Sequence, residues 1–251
     1  ITFTNKAAGE MKERVAELVG PVAHRMWVST FHSACVRILR RDGKLLGFPS
    51  SFSIYDQGDA VRLTGYVVKD QGLDVKRFPP RSVYAVISAA KNEGQTAKKY
   101  IEHAMGPYEK RVGQVFDEYQ KRLLAAGAMD FDDLLGNAVH LLRTKDNVLE
   151  HYRQRFEHVL VDEYQDTNVV QNDLVTLLGA EHRNVCVVGD SDQSIYRFRG
   201  ADIRNILDFE QSFPDATVVV LDQNYRSTQT ILDAANAVIT KNMGRKPKDL
   251  W

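Results

Sequence analysis

Two apolar runs, each ending in acid, constrain this chain more than any other feature of it. In HVLVDEYQDT at 158–167, Val159, Leu160 and Val161 are followed at once by Asp162 and Glu163. In VCVVGDSDQSIYRFRGAD at 185–202, a second apolar run gives way to Gly189, Asp190, Ser191, Asp192 and Gln193. Short unbroken aliphatic runs of this kind read as buried strands of a parallel sheet. The carboxyl ends of such strands open onto one crevice, which is where open α/β sheets bind ligands. The pattern predicts a sheet whose strand tips deliver carboxylates and amides to a common site.

The residue types suggest what that site handles. An Asp at a strand tip can hold a magnesium ion through its water shell, and a neighbouring Glu can orient and deprotonate a water that attacks a γ-phosphate. A lone DE pair more often opens a solvated loop, and the second run is what tips the balance towards chemistry. There Gln193 can reach a phosphate oxygen, while Tyr196, Arg197, Phe198 and Arg199 interleave aromatics with guanidiniums in a way that suits stacked bases and backbone phosphates. A third segment, VVVLDQNYRST at 218–228, repeats the plan of strand and polar tip and supplies Tyr225 and Arg226. An aromatic beside an arginine can cover a nucleotide base and stabilise charge on a transferring phosphoryl group.

Six motifs in fixed order carry a resemblance: TFTNKAAGEM at 2–11, STFHS at 29–33, MDFDDLL at 129–135, VDEYQDTN at 161–168, GDSDQSIYRFRGAD at 189–202 and QNYRST at 223–228. They are similar to those of the UvrD/PcrA/Rep family of superfamily 1 DNA helicases, over essentially the whole chain. The resemblance implies an α/β fold, with a RecA-like P-loop NTPase core built on a parallel sheet and interrupted by an all-helical insertion. It implies ATP and Mg2+ as cofactors, and single-stranded DNA and duplex junctions as partners. The implied activity is an ATP-dependent 3′–5′ DNA helicase or translocase, cytoplasmic, in DNA repair or replication. By residue, Asp162 resembles the magnesium-binding acid, Glu163 the catalytic base and Gln193 the γ-phosphate sensor. Tyr225 resembles the adenine-stacking aromatic, and Arg226 the arginine that reaches the γ-phosphate from a second lobe. On the DNA side, Phe3 and Phe198 resemble base-stacking aromatics, while Asn5, His32 and Arg199 resemble backbone or base contacts. Tyr196 is balanced between DNA contact and packing, and Phe3 between stacking and core. The family more often has Trp where Phe198 stands.

One expected element is missing. The sequence contains no GxxxxGK[ST] loop, since its single Gly-Lys pair, Gly43-Lys44, is followed by Leu. The chain starts at Ile1 and stops in KPKDLW, so it reads as an internal fragment without the phosphate loop and the last helicase motifs. Such a fragment is expected to lack ATPase activity by itself. The alternatives are an ATPase-inactive single-stranded DNA-binding module, or a fragment of a helicase-nuclease.

Composition fits a globular chain with no membrane span, at 43% hydrophobic and 26% charged residues. Cys35 and Cys186 lie on apolar stretches and read as buried reduced thiols. Net charge is zero but unevenly spread: residues 1–127 hold 20 Lys/Arg against 13 Asp/Glu, and the remainder reverses that ratio. The basic half could follow a phosphate backbone, with Lys98-Lys99, Lys110-Arg111 and Lys121-Arg122 as candidates. Helical periodicity predicts a helix over 5–19 with Ala8, Met11, Val15, Leu18 and Val19 inward, then a strand WVST and a helix from Phe31 to Arg41. Helices follow Asp56, follow Pro79-Pro80 and run through Val112–Leu123, and another starts after Asp130. Asp132 and Asp133 read as caps and solvated helix positions. The expected division is 1–41 and 128–222 for a discontinuous first lobe, 42–127 for the helical insertion, and 223–251 for the start of a second lobe.

Overall fold

The computed structural model describes residues 1–242, 248 and 250–251, and the backbone but not the side chain of Arg199. Helix α1, Asn5–Val19, starts where the Thr4 hydroxyl accepts the Ala7 amide at 3.1 Å. Its expected inward face is covered only in part: Ala8 is buried, Met11 and Val15 are half-buried, and Leu18 is 83% exposed. The WVST segment does not become a strand. Thr2 and Thr30 form a single parallel bridge, and Trp27 is fixed by its ring, edge-on to Phe156 at 4.9 Å and Tyr152 at 6.2 Å. Side-chain packing there replaces a hydrogen-bonded ladder. Helix α2, Phe31–Asp42, is capped by Thr30 and buries Phe31, Ala34, Cys35, Ile38 and Leu39 as its periodicity predicts.

Between α2 and residue 127 one short strand, β1 (Ser53–Tyr55), precedes four helices: α3 (Gln57–Asp70), α4 (Pro80–Asn92), α5 (Ala97–His103) and α6 (Pro107–Ala125). Asp56 caps α3 through the Asp59 amide at 2.8 Å, and Pro80 opens α4, where a missing N–H costs nothing. These helices share an apolar cluster of their own, with Val67, Val83, Ile87, Val112, Phe116, Tyr119 and Leu123 at its centre. Burying each such side chain contributes about 1.5–3 kcal/mol. Strand β2, Ala128–Asp130, then pairs in parallel with β1, with Ser53 opposite Ala128 and Tyr55 opposite Asp130.

The rest alternates helix and strand: α7 (Phe131–Thr144), α8 (Asp146–Arg155), β3 (Val159–Val161), α9 (Val169–Gly179) and β4 (Val185–Val187). Strands β3 and β4 are parallel and in register from Val159 opposite Val185 to Val161 opposite Val187. Helix α7 packs against both α2 and α9. Together they form the larger core, which takes in Leu134, Leu141, Leu142, Tyr152, Val161, Tyr164 and Leu174. Helices cover one pleat face only, so Val159 and Val161 are buried while Leu160 is 60% exposed. For the same reason Cys186, expected inside, is exposed. Cys35 is the buried thiol, and burial pushes its pKa up to about 12.

Two short helices, α10 (Arg204–Leu207) and α11 (Phe209–Ser212), and then α12 (Gln229–Ile239) complete the elements. The strand expected at the start of the 218–228 segment does not form, and Val218, Val219, Val220 and Leu221 stand exposed. An apolar run becomes a strand only beside another strand, and none of the described strands pairs with it. No helix among the described residues is long and apolar enough to cross a membrane.

Candidate nucleotide and DNA site

The strand tips converge as the acid-ended runs predict. Beyond β3 the chain breaks sharply: Glu163 sits in left-handed conformation at φ 54° and ψ 41°, and a 3-10 turn, Tyr164–Asp166, follows. For a non-glycine residue that conformation costs roughly 1–2 kcal/mol. Two contacts hold the bend, the Val188 amide on the Val161 carbonyl at 2.8 Å and the Tyr164 amide on the Val188 carbonyl at 2.9 Å. Asp162 is half-buried and its Oδ1 accepts the Glu163 amide at 3.0 Å. Glu163 is exposed, and its Oε2 accepts the side-chain amide of Gln165 at 2.9 Å. Two hard oxygen donors thus stand at the mouth of the crevice, a donor set that suits a magnesium ion shared with phosphates.

Beyond β4, the loop 189–194 closes against that tip. A Cβ at Gly189 would lie 2.5 Å from Gln165 Oε1, 2.8 Å from Ile206 Cδ1 and 3.1 Å from the Tyr164 amide, so glycine alone permits the approach. Gln193 ends a 3-10 turn and is exposed, its Nε2 donating to Asp190 Oδ2 at 2.9 Å. Asp190 also accepts from its neighbour Asp192 and from Lys248. Against the cost of its burial, the bonds from Lys248 and Gln193 hold its carboxyl below the usual carboxylate range.

The same loop runs on into the aromatics. Tyr196 and Phe198 meet at 6.1 Å with planes tilted by 41°, and Phe198 is 78% exposed. A ring that open presents a face rather than filling a core. Gly200, at φ 87°, lets the segment turn, and a Cβ there would lie 3.2 Å from Asn92 Cβ. Arg199's side chain lies outside the described residues. Phe3 is half-buried, edge-on to Phe31 at 5.7 Å and packed against the larger core. Asn5 is exposed at the first position of α1. His32 is half-buried, edge-on to Phe131 at 5.9 Å, and burial lowers its imidazole pKa, favouring the neutral ring.

Tyr225 and Arg226 are exposed and stand apart. Asn224 Oδ1 accepts the amides of Arg226 at 2.9 Å and Ser227 at 2.8 Å, and the Tyr225 hydroxyl meets Gln223 at 2.6 Å. Among the described residues, no hydrogen bond or ion pair joins either side chain to the loops 162–166 or 189–194. Hydrogen bonds thus join Glu163, Gln165, Asp190 and Gln193, and Tyr196 and Phe198 follow on the same stretch of chain; among the described residues no such bond reaches Tyr225 or Arg226.

Three residues escaped the sequence reading. Phe131 is 50% exposed beside His32; its place directly after a helix cap, where no inward packing is required, was the available signal. Asn92 donates to Ser88 and to Asp132 at 2.8 and 2.9 Å and accepts from Asn168 at 2.5 Å, so it links α4 to α7 and to the residue that caps α9. Lys91 is buried against Asp130 at 2.7 Å and Asp133 at 2.8 Å. Asp133 is thus no solvated helix position: it is buried, and Asp132 is half-buried. Of the basic pairs, Arg122 is engaged by Asp70 and Glu118, and Lys121 by Asp117.

Comparison with known proteins bears on the same segments. The family described as UvrD/REP helicase N-terminal domain matches residues 1–214. The chain is 52% identical over its full length to the ATP-dependent DNA helicase PcrA of Bacillus subtilis (strain 168), covering 34% of that protein. It is 53% identical to the ATP-dependent DNA helicase UvrD1 of Mycobacterium tuberculosis (strain ATCC 25618 / H37Rv), again with all of this chain and 34% of the relative aligned. Identity to PcrA of Staphylococcus aureus (strain NCTC 8325 / PS 47) is 51%, with the same coverage. The chain spans about a third of the length of the curated relatives it matches.

Proposed function

This chain belongs to the UvrD/REP helicase N-terminal domain family, and from that premise we propose that it is part of an ATP-dependent DNA helicase that moves 3′ to 5′ on single-stranded DNA. In this reading residues 1–41 and 128–222 form a RecA-like first lobe, 42–127 a DNA-facing helical insertion, and 223–251 the start of a second lobe. The two separate apolar clusters support a division of this kind, with Phe52 and the flanking Leu46 and Phe48 packing on the first-lobe side. The observation that carries the proposal is one continuous polar seam. Glu163 is bonded to Gln165, Gln165 to Asp190 and Asp190 to Gln193, on the loop that goes on to display Phe198.

Asp162 would hold Mg2+, which, bound with ATP, offsets charge on the β- and γ-phosphates. Glu163 orients the attacking water and takes its proton. Gln193 touches a γ-phosphate oxygen, so that loss of the phosphate is felt by the loop bearing the aromatics. Tyr225 stacks on adenine, and Arg226 answers charge at the γ-phosphate once a second lobe brings them in. Phe198 and Tyr196 give bases a face, and Phe3, His32 and Phe131 offer further aromatic surface. Asn5 and Arg199 contact the strand's backbone. The chain by itself, whose sequence holds no phosphate loop, is expected to bind single-stranded DNA weakly and to turn over no ATP.

In the full-length protein carrying this chain, Glu163→Gln is expected to lower DNA-stimulated ATP turnover by about 10²–10⁴-fold while nucleotide binding persists, because Gln keeps the size but cannot take a proton. Phosphate release and nucleotide binding measured side by side check this. Turnover at the parent rate would remove Glu163 as the base.

A further inference from the structure

Gln165 lies two residues after the exposed Glu163 and is 1% exposed. Both ends of its amide are committed: Nε2 donates to Glu163 Oε2 at 2.9 Å, and Oε1 accepts the Asp190 amide at 3.0 Å. Its main-chain carbonyl accepts the Ser194 hydroxyl at 3.3 Å. The orientation is forced, because turning the group over would set NH2 against an N–H and oxygen against a carboxylate. Gly189 clears the space that Gln165 Oε1 occupies. Asp190, whose amide is bound here, holds Gln193 through its own carboxylate.

We infer that Gln165 is a positioning residue: it fixes the Glu163 carboxylate in its working orientation and makes that orientation depend on the position of the loop 189–194. This rests on the reading of Glu163 as the base. Gln165 itself meets no reacting atom. Its contribution is that a shift of the loop, driven from Gln193, pulls on Asp190 and through one amide on the base. A neutral amide suits the task, since it holds a carboxylate without neutralising it.

The test uses the full-length protein carrying this chain and two substitutions. Gln165→Met keeps length and bulk but loses both bonds. Gln165→Glu keeps the acceptor for Asp190 and sets a second carboxylate against Glu163. Both are expected to lower kcat for DNA-stimulated ATP hydrolysis roughly 10- to 100-fold, the scale of a misplaced catalytic group. KM for ATP and affinity for oligothymidine should stay within about twofold of the parent. Gln165→Met should also lower the ratio of DNA-stimulated to basal turnover, and adding it to Gln193→Ala should lower that ratio no further, because the two act in one chain of contacts.

A residue that only supports the fold would instead lower the melting temperature, change KM along with kcat, and add to Gln193→Ala. That pattern overturns the inference, as does an unchanged kcat in both variants. If Gln165→Met does not fold, Gln165→Glu decides. Glu163→Gln, run in parallel, separates the two failures. Parent-rate turnover there overturns the assignment of the base and the inference with it; normal Gln165 variants beside an inactive Glu163→Gln overturn the inference alone.

Discussion

Strands β2 and β3 are alike in length and pairing, and both run into acid, yet the acids serve opposite ends. Asp130 is fully buried. It caps α7 through the Asp133 amide at 2.8 Å, accepts the Tyr119 hydroxyl at 2.8 Å, and faces the Lys91 ammonium at 2.7 Å. No Lys or Arg among the described residues pairs with Asp162 or Glu163, and Glu163 is held by an amide. Carboxylates taken out of water must be compensated inside the protein, so the first set is consumed as structure. In the proposed reading, carboxylates that no Lys or Arg side chain has claimed are the ones left for a cation or a proton that comes from outside. Between β2 and β3, then, it is the buried lysine more than the acid that separates the structural tip from the one proposed for chemistry.

The largest expected effect breaks the comparison at its structural end. Lys91→Met leaves Asp130 and Asp133 buried without a counter-charge and should cost about 3–5 kcal/mol of stability. Glu163→Gln, at the other tip, should stay within about 0.5 kcal/mol of the parent. Urea unfolding of the two variants reads both. A Lys91→Met protein as stable as the parent would mean that the junction is held by the apolar packing around it.

A smaller effect sharpens the chemical end. Gly189→Ala forces a Cβ to within 2.5 Å of Gln165 Oε1, and overpacking of this kind costs about 1–3 kcal/mol. Unlike Lys91→Met, it should also disturb the seam from Glu163 to Gln193, so turnover in the full-length protein should fall with stability. A stable variant with normal turnover would show that the loop relaxes without moving the base.

The distinction between the tips was only half legible in the sequence. The loops at 162 and 189 were legible because apolar strand, acid and amide are local signals, and the caps at Asp56 and Asp130 stood where helical periodicity begins. The fate of Asp133 was not, because its partner Lys91 lies 42 residues upstream on a helix where lysine normally reads as solvated. WVST and 218–221 have strand composition and form no strand, since a strand needs a partner that composition cannot supply. Alternation could not say which face of β4 would be covered, so Cys186 was placed inside. Gln165 sat inside a recognised motif, but one amide in a polar loop gives no sign that it will be the buried one.

At the proposed DNA face, Phe198→Ala should weaken binding of oligothymidine by about 1–3 kcal/mol per stacked base. It should leave stability unchanged, since a ring 78% exposed contributes little to the core. Phe3→Ala is its foil: Phe3 packs on Phe31, so this change should lower stability as well. Equal loss of stability in the two variants would move Phe198 from the binding surface into the packing.

The last test is a pH dependence at the structural tip. Burial, with the nearby Asp130 charge adding to it and Lys91 opposing, raises the Asp133 carboxyl to about 6. Asp130 goes the other way: despite burial, the charge and hydrogen bond of Lys91 hold it below the ordinary value of 3.8. From pH 4 to 6 the folded chain therefore keeps a proton on Asp133 that the unfolded chain has released, and stability falls as pH rises through that window. Asp130 acts below it, its contribution present above 3.8 and lost as pH falls through its lower folded value. Asp133→Asn removes the ionisable group and leaves Asp130. Subtracting its urea midpoints from those of the parent at each pH should thus give a difference that declines between pH 4 and 6 and levels above. A flat difference would mean that Asp133 stays ionised throughout, making the junction an ion-pair triad in which Lys91 faces two full charges.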